Sequence, residues 1–520
     1  MIARRRRDRA GSFSGNVAER AIIDIGSNSV RLVVYGGTMR APVVVLNEKV
    51  VAQLGREIAA TGLLPADSIE LAMRGLKRFA LLLEDLGVQD VETVATAAVR
   101  EADNGPEFLE HVRALGFEPR LLSGEEEAGV SASGVIGAFP GAQGVVADLG
   151  GGSLELVRIA DGMCDTATSL PLGTLRLNEY RGEGETKPGG MRKRLGMALK
   201  QGGWGNPIDG PLYLVGGTWR ALAVYAMEER NYPLSDPHAF ELDAHEAALL
   251  ARRVARAAPE MLAAIPRLTL NRADVLPNAA VLLQALLKQL APTRVVFSSW
   301  GLREGLLYGR LEPHQKAQDP LLAGMAHFVG HRGAPPQLAA RIAGWTVEAV
   351  PTGETGSERV RLAATMLALA SIQIEPNLRI EQAIDWALHK RWLAIDPVGR
   401  AQMAATSAAN GNQLGMPKSL TKLASAEALE EAICWGLAIR LARRVGARSR
   451  KSFQVSRLMR DGGRLVLRLQ ESHRDLYGIT VERDLALLAG RLRLEPAVEI
   501  VAEDMVWDSD EADARFSLVK

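Results

Sequence analysis

The chain has 520 residues, enough for three or four domains with large cores, and 47% hydrophobic against 24% charged residues excludes wholesale disorder. With 62 Lys+Arg against 61 Asp+Glu the formal net charge is +1, so an anionic partner must be held by local basic patches and not by a global field. Two cysteines, Cys164 and Cys434, exclude a disulfide framework or a multi-cysteine zinc site and fit a reducing compartment.

In chain order, Arg4, Arg5, Arg6, Arg7 and Arg9 open a basic start without the apolar stretch of a secretory signal. Residues 1–17 are expected to be a flexible tail; the alternative is an arm that touches a polyanion. AIIDIG (21–26) and VRLVVYGG (30–37) read as strands joined by Ser-Asn-Ser, and PVVVLNEKVVAQL (42–54) continues the strand signal. Residues 67–86 carry Ile69, Met73, Leu76, Phe79 and Leu83 at helical spacing. VETVATAAV (91–99) reads as a strand and 105–115 as a helix, so the first half alternates as α/β chains do. LLSGEEEAG (121–129) starts a helix in which Ser123 and Glu126 form a capping box. Glu127, turned about 100° from Glu126, points elsewhere. Alone it reads as a solvated glutamate; its place ahead of a glycine-rich turn makes it a candidate to face a cleft.

From about 313 strand signals vanish and helical periodicity runs to about 447; LAATMLALASI (362–372) is short, flanked by charge, and reads as a core helix. No stretch approaches the ~20 apolar residues of a membrane span, so no membrane partner and a cytoplasmic location are expected. Residues 452–469 read as a hairpin around Asp461-Gly462-Gly463, and the polar end from Asp508 as frayed.

An internal repeat is the most informative feature. DIGSNSVRLV begins at Asp24 and DLGGGSLELV at Asp148, 124 residues later, with five identities in ten. Each copy is strand, Gly-x-x-Ser, strand. A dinucleotide fold would run from the glycines into a helix, and a P-loop would end in Gly-Lys-Ser/Thr, so neither applies. Such a turn is most often a plain hairpin. Duplicated in two facing domains it reads as an anion cradle of backbone N–H groups. An aspartate beside bound phosphate is repulsive unless a cation intervenes, which implies Mg²⁺. LYLVGGTWRALA (212–223) places Gly216, Gly217 and Thr218 between a strand and a helix: another phosphate-friendly start, or a simple turn.

These segments, with ATAAVREADNG (95–105), SLPLGTLRL (169–177), NRADVLPNA (271–279) and SSWGLREGLLY (298–308), occur in an order that resembles the exopolyphosphatase/guanosine pentaphosphate phosphohydrolase family of the sugar kinase, heat-shock chaperone and actin superfamily. The resemblance covers about 18–310. It implies an α/β fold with two actin-like domains facing a cleft (18–141 and 142–312), an all-helical domain (313–447) and a small mixed piece (448–520). The helical part resembles metal-dependent phosphohydrolase domains, but no His-Asp dipeptide occurs in this chain. His327 and His331 have no neighbouring carboxylate cluster in the sequence, so a second catalytic centre is not expected.

By position, the resemblance puts the general base at Glu127 and metal-binding acids at Asp148 and Glu155. Phosphate-cradling positions are Asp24, Gly26, Ser27, Asn28 and Ser29, with Gly150, Gly151, Gly152 and Ser153, and a phosphate-clamping arginine is Arg100. Asn278 stands where the family often has glycine. The implied cofactor is Mg²⁺, with Mn²⁺ as the alternative, and the implied assembly is a homodimer. Two acid-free basic runs read as solvated faces or as a track for a polymeric anion: Lys187, Arg192, Lys193, Arg194 and Lys200, and, within 440–460, Arg443, Arg444, Arg448, Arg450 and Lys451. No aromatic stands between Arg443 and Lys451, so specific nucleic-acid binding is not expected. The expected activity is processive release of orthophosphate from inorganic polyphosphate. Guanosine pentaphosphate is the alternative substrate; a small-molecule kinase and a non-enzymatic sensor are the competing classes.

Overall fold

In the computed structural model, residues 17–185 and 187–503 are described; most of the basic tail and the polar end from Asp508 lie outside them. The chain divides into two compact units, one of residues 17–232 and 237–317, the other of 233–236 and 318–503.

The first unit contains two sheets. Strands β1 (Arg20–Ile25), β2 (Val30–Gly37), β3 (Pro42–Val50), β4 (Asp90–Ala95) and β5 (Pro119–Leu121) form one, in the order β3-β2-β1-β4-β5. Strands β6 (Gly144–Leu149), β7 (Leu154–Ala160), β8 (Met163–Leu170), β9 (Leu212–Val215), β10 (Glu241–Asp243) and β11 (Arg294–Ser298) form the other, in the order β10-β11-β9-β6-β7-β8. Apart from β10 at one edge, the two orders are the same. In both, the first three strands meander antiparallel and the next joins parallel. The expected pair of actin-like halves is therefore present, and the repeat read from ten residues extends through whole sheets.

Local chemistry accounts for the elements. β1 and β6 are almost wholly buried runs of Ile, Val and Ala, as strands with both faces covered must be. The Ala66–Leu86 helix buries Ala72, Leu76, Phe79 and Leu83 along one stripe and stops at Gly87, whose φ of 67° is the left-handed cap. At 91–99 the strand ends at Ala95. Thr96, extended at φ −126°, precedes a short helix Ala97–Glu101, where alanine's helix preference takes over from the β-branched run. The Gly124–Ala138 helix begins with the expected capping box: the Glu126 N–H donates to Ser123 Oγ at 3.1 Å, and the Ser123 N–H to Glu126 Oε2 at 2.8 Å.

That helix packs on the Leu302–Gly309 helix at backbone contact. A Cβ on Gly305 would lie 1.8 Å from the Val130 carbonyl oxygen, and one on Gly134 would lie 2.3 Å from that of Gly301. Two helices are thereby locked beside the sheet ends that carry the repeated turns.

The second unit is helical from Pro320–Gly330 to Ala426–Gly446, then mixed. Glu358–Ala370 is a buried core helix, as its sequence implied. β12 (Ser456–Asp461) and β13 (Arg464–Gln470) form the expected hairpin, with Gly462 at φ 57° in the turn, and β14 (Glu495–Val501) joins β13 parallel. The hairpin is shorter than its sequence suggested, because Arg450–Gln454 is helical with Ser449 as N-cap. Among the described residues no helix is long and apolar enough to cross a membrane.

Candidate active site

The two repeated turns meet. Gly26 N–H donates to Ser29 O at 3.1 Å and Gly150 N–H to Ser153 O at 3.0 Å, so both are closed by the same bond. Gly151 and Gly152 approach the first turn so closely that a Cβ would lie 3.1 Å from Asn28 N and 2.7 Å from Ser27 Oγ, respectively. Several carbonyls of both turns are engaged from outside: Ser27 O and Asn28 O accept from Gly55 and Gln53, and Gly150 O and Gly151 O from Thr174 and Leu175. Acceptors that would repel an anion are thus tied up.

A cleft of about 200 Å³ lies against these turns. It is lined by every residue expected at the phosphate cradles, including Gly216, Gly217 and Thr218, together with Glu127, Asp148 and Glu155. Arg100 is the exception among the residues expected at the catalytic, metal and phosphate-cradling positions. Its Nη1 donates to Leu122 O at 2.7 Å and to Glu127 Oε2 at 3.1 Å, so it is engaged with the glutamate and does not line the cleft.

Five cations line the cleft that motif reading did not single out: Arg31, Lys49, Arg220, Arg272 and Arg303. Arg31 and Lys49 face each other across β2 and β3. Arg272 Nη1 donates to Thr218 Oγ1 at 2.8 Å, and Arg303 Nε stands 4.0 Å from Asp24 Oδ2. Buried Arg31 Nε has no hydrogen-bond partner among the described residues. Burial, then Arg272 and Arg31, push the Lys49 amine down to about 8, and burial lowers Arg31 and Arg272 as well. Crowded, partly desolvated cations of this kind suit an anion, whose charge would offset theirs.

The acids are perturbed in the complementary sense. Burial raises Asp24 and Asp148. Burial, then the charges of Glu127 and Asp148, raise Glu155 well above the usual carboxylate range. Burial pushes Glu127 up to about 7 against the opposing pull of Arg100. Glu155 also accepts from Ser169 Oγ at 2.9 Å, and Asp148 Oδ2 accepts from Ser131 Oγ.

The model of the Ppx/GppA phosphatase family matches residues 33–314, more than half of the chain. The chain belongs to the Ppx/GppA phosphatase family. As a member it is a hydrolase acting on phosphoanhydride bonds, and phosphatases of this family are generally dependent on a divalent metal. A Ppx/GppA member from Aquifex aeolicus is similar at 27% identity over 57% of this chain and 98% of its own, with a TM-score of 0.49. An exopolyphosphatase from Cytophaga hutchinsonii is similar at 21% identity over 55% of this chain and 96% of its own, with a TM-score of 0.50, and shares the fold. The Ppx/GppA match starts inside β2, so the first repeated turn lies just ahead of it, and the second unit lies almost entirely beyond its end.

A divalent cation suits the donors present. Among the described residues no group of three or more His, Cys, Asp or Glu is arranged to hold a metal unaided. Mg²⁺ needs no such cage: it keeps several waters and is held by one or two carboxylates plus substrate phosphate. Asp148, half-buried beside the glycine turns and lining the cleft, is a hard oxygen donor of that type.

The expected track cations are not among the residues that line the cleft. Those of the first run belong to or flank the Pro188–Gln201 helix and do not line the cleft; Arg194 pairs with Glu185, and Arg192 Nη1 donates to Gln284 at 3.4 Å. In the second run Arg444 shares Asp484 with Arg440, and Arg443 Nη1 donates to Asn410 at 2.8 Å.

Proposed function

We propose that the protein is an exopolyphosphatase that releases orthophosphate from the end of inorganic polyphosphate. The observation that carries this reading is the convergence, in one cleft, of a glutamate with a pKa near 7, two glycine-rich turns and five cations. A terminal phosphoryl group needs charge neutralisation, an in-line water and a proton acceptor. The turn amides and Arg31, Lys49, Arg220, Arg272 and Arg303 hold the phosphate oxygens, and this electrostatic part is the larger share. Glu127 orients a water and accepts its proton as the water oxygen bonds to phosphorus. The bridging P–O bond then breaks, and its electron pair leaves with the shortened chain. A base with a pKa near the working pH is suited to that step.

Asp148, with Glu155 next to it, would hold Mg²⁺, which supplies additional neutralisation of the phosphate charge when bound. Arg100 sets the orientation and basicity of Glu127. In the second unit Arg443, Arg444, Arg448, Arg450 and Lys451, and in the first Lys187, Arg192, Lys193, Arg194 and Lys200, are proposed to hold distant phosphates of a long chain.

Guanosine pentaphosphate is the second reading. A cavity of about 250 Å³ shares Asn28, Lys49, Thr174 and Arg272 with the cleft and adds apolar walls from Val51, Leu175 and Val275. An inorganic chain has no use for such walls, whereas a nucleoside has. Phosphate release from long-chain polyphosphate and from guanosine pentaphosphate, with and without Mg²⁺, tests both readings. Faster metal-dependent release from polyphosphate supports the first, and the reverse preference overturns it in favour of the second.

A further inference from the structure

Ser131 is fully enclosed, 1% exposed, and lies one helical turn after Glu127 on the Gly124–Ala138 helix. A buried serine in a helix commonly satisfies its hydroxyl on the carbonyl four residues back. Its neighbour Ser133 does so, donating to Gly129 O at 2.9 Å. Ser131 instead donates across to the next strand, to Asp148 Oδ2 at the end of β6. It does not line the cleft, whereas Asp148 does.

The space around this bond is closed. A Cβ on Gly301 would come within 3.4 Å of both Ser131 Oγ and Asp148 Oδ2. A Cβ on Gly216 would lie 3.2 Å from the other carboxylate oxygen, Asp148 Oδ1. Backbone-tight packing on both sides leaves the carboxylate little room to turn, and the serine hydroxyl selects its rotamer.

We infer that Ser131 is a positioning residue for the reaction: it fixes the Asp148 carboxylate relative to Glu127 by carrying both interactions on one rigid helix. The turn that presents the base also presents the hydroxyl that aims the metal-binding aspartate, so the two cannot drift apart. Groups that orient a ligand from behind are typically worth ~10–100-fold in metal affinity or activity. The inference rests on the assignment of Asp148 as a metal ligand.

The test uses the full chain with Ser131→Ala, Ser131→Thr and, as control, Ser133→Ala. Mg²⁺ binding is followed by calorimetric titration with saturating orthophosphate present, turnover by phosphate release, and folding by thermal melting. Expected are a ~10–100-fold weaker Mg²⁺ affinity in Ser131→Ala, a lower kcat at little changed KM, recovery in Ser131→Thr, and near wild-type behaviour in Ser133→Ala. Equal Mg²⁺ affinity in wild type and Ser131→Ala overturns the inference, as does an equal loss in Ser133→Ala. An equal affinity loss in Ser131→Ala and Ser131→Thr, with melting unchanged, also overturns it, because the hydroxyl would then not be the cause. If wild type itself takes up no Mg²⁺, the metal assignment fails first and the inference falls with it.

Discussion

Arg100→Gln separates two roles that one arginine can play. In the structure its guanidinium lies 3.1 Å from Glu127 Oε2, with both side chains largely shielded from water. Burial raises Glu127 to about 7 although Arg100 pulls the other way. An opposite charge this close lowers a carboxyl pKa by ~1–3 units, so removing it moves the acid limb of the kcat/KM profile up by ~1–3 pH units. The sign follows from the role: a general base acts when deprotonated, so activity accumulates as pH rises through about 7 and is lost below it. In the variant the base is deprotonated in a smaller fraction of molecules, and the loss at pH 7 is ~5- to 500-fold, shrinking as the pH is raised. The assay is phosphate release from long-chain polyphosphate between pH 5.5 and 10, with kcat and KM resolved at each pH. A loss that is the same at every pH and sits in KM would refute the ion-pair argument and return Arg100 to the role of phosphate clamp.

Three further outcomes are expected. Glu127→Gln lowers kcat ~10²–10⁴-fold with little change in KM, whereas Glu126→Gln, which still serves the capping box, keeps near-normal turnover; the opposite pattern in steady-state kinetics would mean the base is misassigned. Strong chelation, or Asp148→Asn, abolishes phosphate release while circular dichroism stays native, and activity that survives in chelator would remove the metal from the scheme. Gly305→Ala forces a Cβ to within 1.8 Å of the Val130 carbonyl and costs ~1–3 kcal/mol in chemical denaturation, since backbone must move to admit it; an unchanged denaturation midpoint would contradict so tight a helix crossing.

What could be read from the sequence was what is local or repeated. The turns at Asp24 and Asp148 announce themselves because the same ten-residue pattern recurs, and the capping box assigns Glu126 a structural job that leaves Glu127 for another. The cation set could not be read this way. Arg31, Lys49, Arg220, Arg272 and Arg303 are far apart in sequence and come together only through strand order and crossover helices. Arg31, Arg220, Arg272 and Arg303 do stand inside segments that carried the family resemblance, which was the signal available. Arg100 likewise sits in such a segment, but whether it meets phosphate or Glu127 depends on how the Gly124–Ala138 helix lies against the sheet. The strand expected over 91–99 overran because Val99 continues the β-branched pattern after Thr96 has already turned the chain into a helix.

The matching registers of the two hairpins carry one inequality. Asp24 stands opposite Arg31 across β1 and β2, and Asp148 opposite Glu155 across β6 and β7. Positions 31 and 155 are the same place in the repeat, yet one carries a cation and the other an acid, and both line the cleft. A pocket made of two identical turns would offer a chain of identical phosphates two equivalent directions of entry. A guanidinium at one of the equivalent positions and a carboxyl that burial keeps protonated at the other remove that degeneracy, because the two turns then differ in charge. The repeat supplies matching walls, and the Arg31/Glu155 pair is one of the places where they differ in kind.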